Sequence, residues 1–461
     1  MFKNKINIFY YLKISSSVLS EEQRNKNIIL NIKLSFLFRI ILFVLNLFSV
    51  PLLLNTLGFE FYGVWISIVS LASWITLMDI GVSLSLRNKV TFALLNMDYD
   101  LANQYISTFF FFFSKLFFFV LVCSVLLILS LNWQYLLNTK SIDEITLKIS
   151  IVLIVISICV NFIFGAVNQL INSVQLSSLS NLTNIIFNVI FLIGISFYKY
   201  AHSANLIYIS LFYLLSQLLS ITLINYLFFS EYNYLIPQKS NFNKKFIQGL
   251  LKSGKNFFII QIGILIMFST DNFLVGYLFG PKEVVSYSTY FRLYSTIGVV
   301  AGLFMSPLWS SYSEAYANGH YNWILKSFTK IIVLLFPVIL VLIILYLYSD
   351  KVVYLWIGQN IKVAATLKIY LSLFVVVNIW NTIFASFLNS IGQTRVNMIC
   401  SLYGIFINTF LAFYFSKYLS MGPSGIVLAT IISLLLFSIL GAIESYRILN
   451  NSKSGEKIIY E

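Results

Sequence analysis

Apolar residues run through this chain in about twelve stretches of roughly 18–25 residues, separated by short polar breaks. An α-helix of that length crosses a hydrocarbon layer about 30 Å thick. In hydrocarbon each backbone amide has to be paired within its own segment, so a bundle of spanning helices is the natural solution. The pattern predicts an all-α membrane protein with spans at approximately 34–57, 61–80, 104–130, 147–170, 180–199, 205–230, 256–279, 285–308, 328–348, 366–390, 397–416 and 424–447. The connection 231–255 holds five lysines and divides the spans six and six. The expected organisation is an N-terminal segment at 1–33, a six-helix lobe at 34–230, a basic linker at 231–255, a second six-helix lobe at 256–447 and a tail at 448–461.

An even number of spans puts both termini on one side. Placing them in the cytoplasm gives that side 19 of the 30 lysines and arginines and the other side 8, with Arg39, Lys115 and Arg292 inside spans. This bias follows the positive-inside rule. The two halves also share a spacing. Leu57-Gly58 precedes Tyr62-Gly63-Val64-Trp65, Phe279-Gly280 precedes Val284-Val285-Ser286-Tyr287, and Asp98 and His320 each lie 40 residues past their glycine. The offset of 222 predicts a parallel repeat of two six-helix units, a known transporter plan.

Composition narrows the function. The chain is 59% hydrophobic and 10% charged, too poor in polar surface for a water-soluble fold. A net charge of +14 would suit nucleic acid, but the basic residues sit between apolar spans, where topology and anionic lipid explain them better. Cys123, Cys159 and Cys400 lie within apolar spans without metal-ligand or disulfide spacing, and no cleavable signal peptide is evident. No GxxxxGK[ST] is present, and neither His202 nor His320 is followed by an acid four or five residues on. With short outer connections, these features argue against a membrane enzyme. No cofactor or metal is expected, and a gradient-driven carrier remains.

Leu57-Gly58-Phe59-Glu60-Phe61-Tyr62-Gly63-Val64-Trp65, Met78-Asp79-Ile80-Gly81-Val82-Ser83-Leu84-Ser85-Leu86-Arg87-Asn88-Lys89 and Thr270-Asp271-Asn272-Phe273-Leu274-Val275-Gly276-Tyr277-Leu278-Phe279-Gly280 resemble junctions of polysaccharide exporters. Over nearly its whole length the chain is similar to Wzx-type O-antigen flippases of the multidrug/oligosaccharidyl-lipid/polysaccharide exporter superfamily. The resemblance implies a MATE-like pair of six-helix lobes around a cavity that opens alternately to either side. It implies as cargo an undecaprenyl-pyrophosphate-linked oligosaccharide, moved from the cytoplasmic to the periplasmic leaflet of a bacterial inner membrane, with membrane lipids and other polysaccharide-assembly proteins as partners. The turn 280–286 lacks the second glycine of the pattern, which leaves the register of span eight open. A drug or cation antiporter of the same fold is the alternative; it calls for a net acidic cavity, whereas the intramembrane cations outnumber Asp271 three to one.

A charge at bilayer depth costs on the order of 3 kcal/mol, so each such residue needs an account. Asp271 and Arg292 fall at similar depths on consecutive antiparallel helices. Either they pair structurally, or Arg292 meets the pyrophosphate while Asp271 is a protonatable coupling group. Lys115, inside a phenylalanine run, is expected to point inward, lining a cavity or pairing within its lobe. Arg39 either snorkels or meets an entering pyrophosphate, which a guanidinium fork grips through two oxygens. Asp79, Arg87 and Lys89 are expected to fix a cytoplasmic hairpin. Asn161, Asn168, Asn172, the set Asn181, Asn184 and Asn188, and the set Asn378, Asn381 and Asn389 share helical faces. They either tie helices together or line a sugar-binding lumen. Pro51 is expected to kink span one, and Ser49 is the repeat counterpart of Asp271.

Overall fold

The computed structural model describes residues 21–75, 82–174, 176–201, 205–252, 262, 269–305 and 308–453. Asp79, His202 and half of the seventh expected span lie outside these. Helix α1 (Glu21–Ala72) carries the first apolar run through Pro51 and turns at Gly58, where φ is +74°. It is followed by α2 (Val82–Leu95), α3 (Tyr99–Ser130), α4 (Trp133–Leu136), α5 (Glu144–Gly165), α6 (Val167–Ser173), α7 (Ser177–Ala201), α8 (Leu206–Glu231) and α9 (Lys245–Lys252). The second half contains α10 (269–279), α11 (Pro281–Met305), α12 (Leu308–Ala317), α13 (Tyr321–Val333), α14 (Leu335–Ile357), α15 (Ala365–Ser390), α16 (Arg395–Phe413) and α17 (Pro423–Lys453). A single π-helical turn, Tyr414–Tyr418, follows α16.

Among the described residues nine helical stretches are long and apolar enough to cross a membrane. The difference from twelve has a simple origin. Lys33–Ile75 contains the first two expected spans, half of the seventh falls outside the described residues, and α11 is diluted by Ser, Tyr and Arg. The eighth span, expected at 285–308, begins instead at Pro281, where a fixed φ and a missing N–H suit a first helical position.

The repeat is visible in the backbone. Gly58 and Gly280 both have positive φ, and so do Met97 and Gly319, each pair 222 apart. The hydrogen bonds Asn96 N–H to Phe92 O and Asp98 N–H to Ala93 O recur as Asn318 N–H to Glu314 O and His320 N–H to Ala315 O. At the next hairpin the spacing slips by five: Leu176 N–H to Ile171 O matches Gln393 N–H to Leu388 O, 217 apart.

The chain falls into two compact units. One comprises Met1–Thr56, Asp79–Leu131 and Ile145–Gly254; the other comprises Leu57–Met78, Asn132–Glu144 and Lys255–Glu461. The first is centred on buried apolar residues of α2, α3 and α6, among them Leu86, Phe109, Phe113 and Leu170. Its basic linker is docked rather than loose. Buried Asn103 of α3 donates to the carbonyls of Tyr234 at 2.8 Å and Ile236 at 2.9 Å, and accepts from Asn241 at 2.9 Å. Thr108 accepts from Asn243 N–H at 3.1 Å. The second unit is built around Tyr312, Phe328, Phe384 and Phe387. There the segment after Gly58 packs closely on the start of α11: a Cβ on Gly63 would fall 1.9 Å from the Pro281 carbonyl oxygen, so only glycine fits.

Asn103→Ala should release the 232–243 strap, leaving two carbonyls without a donor. The expected destabilisation is about 1–3 kcal/mol, read as a lower melting temperature together with faster proteolysis in that segment.

Candidate functional site

Asp271 sits on α10 with 2% of its surface exposed. Its Oδ2 accepts from the Tyr287 hydroxyl of α11 at 3.0 Å, while Oδ1 has no hydrogen-bond partner. The Thr430 hydroxyl of α17 also lies beside the carboxylate, but donates to the Ile426 carbonyl at 3.2 Å. Thr430 in turn accepts from the Asn408 amide of α16 at 3.0 Å, and Asn408 Oδ1 is buried without a partner. Four helices thus converge on a thread of polar side chains with two open acceptor oxygens, Asp271 Oδ1 and Asn408 Oδ1. A buried anion with one donor is poorly compensated. A proton or a small cation at Oδ1 would supply what is missing.

Arg292 does not complete this centre. Depth alone does not pair residues; the helical face decides. Arg292 is five residues beyond Tyr287, about 140° further round α11. It shares a face with Val285 and Thr289 and is exposed where that face opens, within electrostatic reach of buried Tyr62.

Other sequence candidates divide by role. Arg39 and Lys115 are both exposed, Lys115 beside the exposed rings of Phe118 and Phe119 and away from the buried face of α3. Lys115 forms no ion pair with a described residue. Arg87 is exposed and Lys89 half-buried on α2. Several asparagines tie helices together. Asn161 accepts from Gln217 at 3.1 Å, Asn168 from Thr183 at 2.8 Å, and Asn381 joins α15 to α17 through Leu434 O at 3.1 Å and Ser438 Oγ at 2.7 Å. Asn188 donates to the Asn184 carbonyl one turn back at 2.9 Å. Asn378, Asn381 and Asn389 also line a cavity of about 390 Å³ in the second unit, together with Asn397, Ser401 and Ser433.

Three groups carry no signal in the apolar pattern. Tyr287 could have been found from its place seven residues after Gly280, with Asp271 nine residues before that glycine. Tyr290 donates to Asp350 at 2.5 Å and Asp350 pairs with Lys368 at 2.6 Å, tying α11, α14 and α15 by contacts no local motif announces. The connection 132–144, a short polar break in the sequence pattern, is folded.

Residues 257–414 match the MatE family. A solved inward-facing multidrug resistance MATE transporter of the MOP superfamily superposes with a TM-score of 0.67 at 14% identity, covering 92% of this chain and 96% of its own. A MOP superfamily transporter from Pyrococcus furiosus, described as having a binding pocket of reverse polarity, gives 0.59 at 15% identity over 92% and 94%. The fold is MATE-like. Two curated relatives extend the likeness to sequence. A protein assigned by inference to O-antigen export in Yersinia pseudotuberculosis is 24% identical over 77% of this chain and 82% of its own length. An inferred O-antigen transporter of Salmonella typhi is 23% identical over 78% and 83%. The resemblance to Wzx-type flippases is therefore borne out, and the chain is a multi-pass membrane transporter.

Tyr287→Phe should remove the donor from the Asp271 carboxylate and destabilise this MATE-like fold by about 1–3 kcal/mol. Adding Asp271→Asn should recover most of that loss, because the charge that needed the donor is gone. A double-mutant cycle of melting temperatures in detergent checks this.

Proposed function

We propose that this chain is a flippase that carries an undecaprenyl-pyrophosphate-linked oligosaccharide from the cytoplasmic to the periplasmic leaflet of a bacterial inner membrane, both termini being cytoplasmic. The observation that carries the proposal is a MATE-like fold in a chain whose curated relatives, matched over about four-fifths of each chain, are assigned by inference to O-antigen export and transport. The transport cycle is alternating access. Exposed Arg39, Lys115 and Arg292 each serve the anionic head group at a stage of its passage, while the lipid tail stays in the bilayer. Buried Asp271 is the coupling group: taking up a proton or small cation at Oδ1 neutralises the centre shared with Tyr287, Thr430 and Asn408. Losing it restores an anion that the packing compensates poorly, so the two ionic states favour different arrangements of the helices around them.

Proteoliposomes loaded with undecaprenyl-pyrophosphate oligosaccharide test this reading. The purified protein should move the lipid between leaflets, Arg292→Ala should slow it roughly tenfold or more, and an imposed proton or sodium gradient should alter the wild-type rate. Exchange of small organic cations for protons, with no movement of the lipid-linked sugar, would overturn the flippase in favour of a drug antiporter.

A further inference from the structure

The connection 132–144 is a short element with an unusual amount of internal construction. The Glu144 carboxylate accepts from the backbone N–H of Trp133 at 2.9 Å and of Gln134 at 3.0 Å. Asn132 caps the turn through Tyr135 N–H at 3.0 Å, and Gln134 donates to Ile142 O at 2.8 Å. Thr139 donates to Glu60 at 3.0 Å. Trp133, Leu137, Thr139 and Ile142 are buried beneath. Asn138 adopts a φ of +49°, and its amide donates to the Tyr277 carbonyl at 3.3 Å. The segment is a rigid platform set against the end of α10.

What it presents is equally specific. Tyr135 is 68% exposed and meets Tyr277 edge to face, with centroids 6.1 Å apart. Between them and the π-helical turn after α16 lies a cavity of about 470 Å³, within the usual range of small-molecule sites. That turn is fixed too: a Cβ on Gly425 would sit 2.7 Å from the Ser416 amide nitrogen. Lys140 of the platform and Lys417 of the π-helical turn both line the cavity. Both are exposed, and neither forms an ion pair with a described residue. Two of the eight basic residues assigned to the outer side thus converge on one hollow.

We propose that this hollow is a binding site for an acidic sugar residue. Lys140 and Lys417 hold its carboxylate, Tyr135 and Tyr277 take the apolar C–H face of the ring, and the amides of Asn132 and Asn138 bond its hydroxyls. Aromatic faces with amides and cations are the chemistry such a ring needs: a flat apolar patch, donors that also accept, and a counter-charge. The inference rests on the flippase reading in one respect, that this end of the chain faces outward and meets the glycan as it leaves. It selects cargo with a uronic or similar acid in the repeat unit. An anionic phospholipid head group has part of the same chemistry, but offers no ring for the two tyrosines.

Isothermal titration of the full-length protein in detergent tests it, with trigalacturonate, maltotriose and glycerol phosphate as probes. Trigalacturonate should bind, maltotriose and glycerol phosphate should bind at least roughly tenfold more weakly, and Lys140→Ala, Lys417→Ala and Tyr135→Ala should each weaken trigalacturonate roughly tenfold. No binding of trigalacturonate, equal binding of the neutral sugar, stronger binding of glycerol phosphate, or affinity unchanged in the variants would each overturn it. Binding without lipid movement in proteoliposomes would leave the site standing and remove the flippase; lipid movement without binding would do the reverse.

Discussion

Inside hydrocarbon an unpaired polar group has no water to turn to, so the chain itself must match each backbone amide and each side-chain oxygen. That constraint makes the fold helical. It also gives meaning to the exceptions. Many serines and threonines along the spans close back on their own helices, as Ser210 does on Leu206 and Ser445 on Gly441, and so disappear chemically. Others do not, Ser150 and Thr289 among them, and in the thread around Asp271 both that carboxylate and Asn408 keep a buried oxygen without a donor. Such atoms are expensive to keep in a membrane protein, and a role in the cycle gives a reason for keeping them.

The two halves share a backbone plan but not its chemistry. Positive-φ residues recur at Gly58 and Gly280 and again at Met97 and Gly319. Yet the counterpart of Asp271 is Ser49, whose hydroxyl bonds the Asn46 carbonyl on its own helix at 2.7 Å. Asp98 caps its helix through Leu101 N–H, whereas His320, at the same place in the second half, makes no side-chain cap. Duplication supplies two similar frames, and substitution at chosen positions gives one of them an ionisable centre. An asymmetric pair of this kind can respond to an ion in one half while the other half keeps its shape.

The sequence made the fold legible because bilayer thickness imposes a length on each span, and the repeat was legible because glycine marks positive φ. Residue roles were harder. The depth of Arg292 could be counted, but its face depends on where α11 begins, and Pro281 moved that start four residues earlier than the apolar run suggested. The asparagine stripes were visible as periodicity, yet whether an amide ties helices, as Asn168 does, or borders a cavity, as Asn378 does, depends on partners far away in sequence. The 132–144 platform was illegible for the same reason: besides its own Glu144, it is held by Glu60 and Tyr277 from two other segments.

The central claim is that Asp271 changes its ionic partner as cargo passes. Proton exchange measured with a pH-indicator dye, on mixing lipid-linked oligosaccharide with lightly buffered purified protein, tests it most directly, with sodium uptake followed in parallel. The account predicts a cargo-dependent exchange of one of these ions in the wild type and none in Asp271→Asn. An exchange of the same size in both proteins, or none in the wild type while it still moves the lipid, would contradict it.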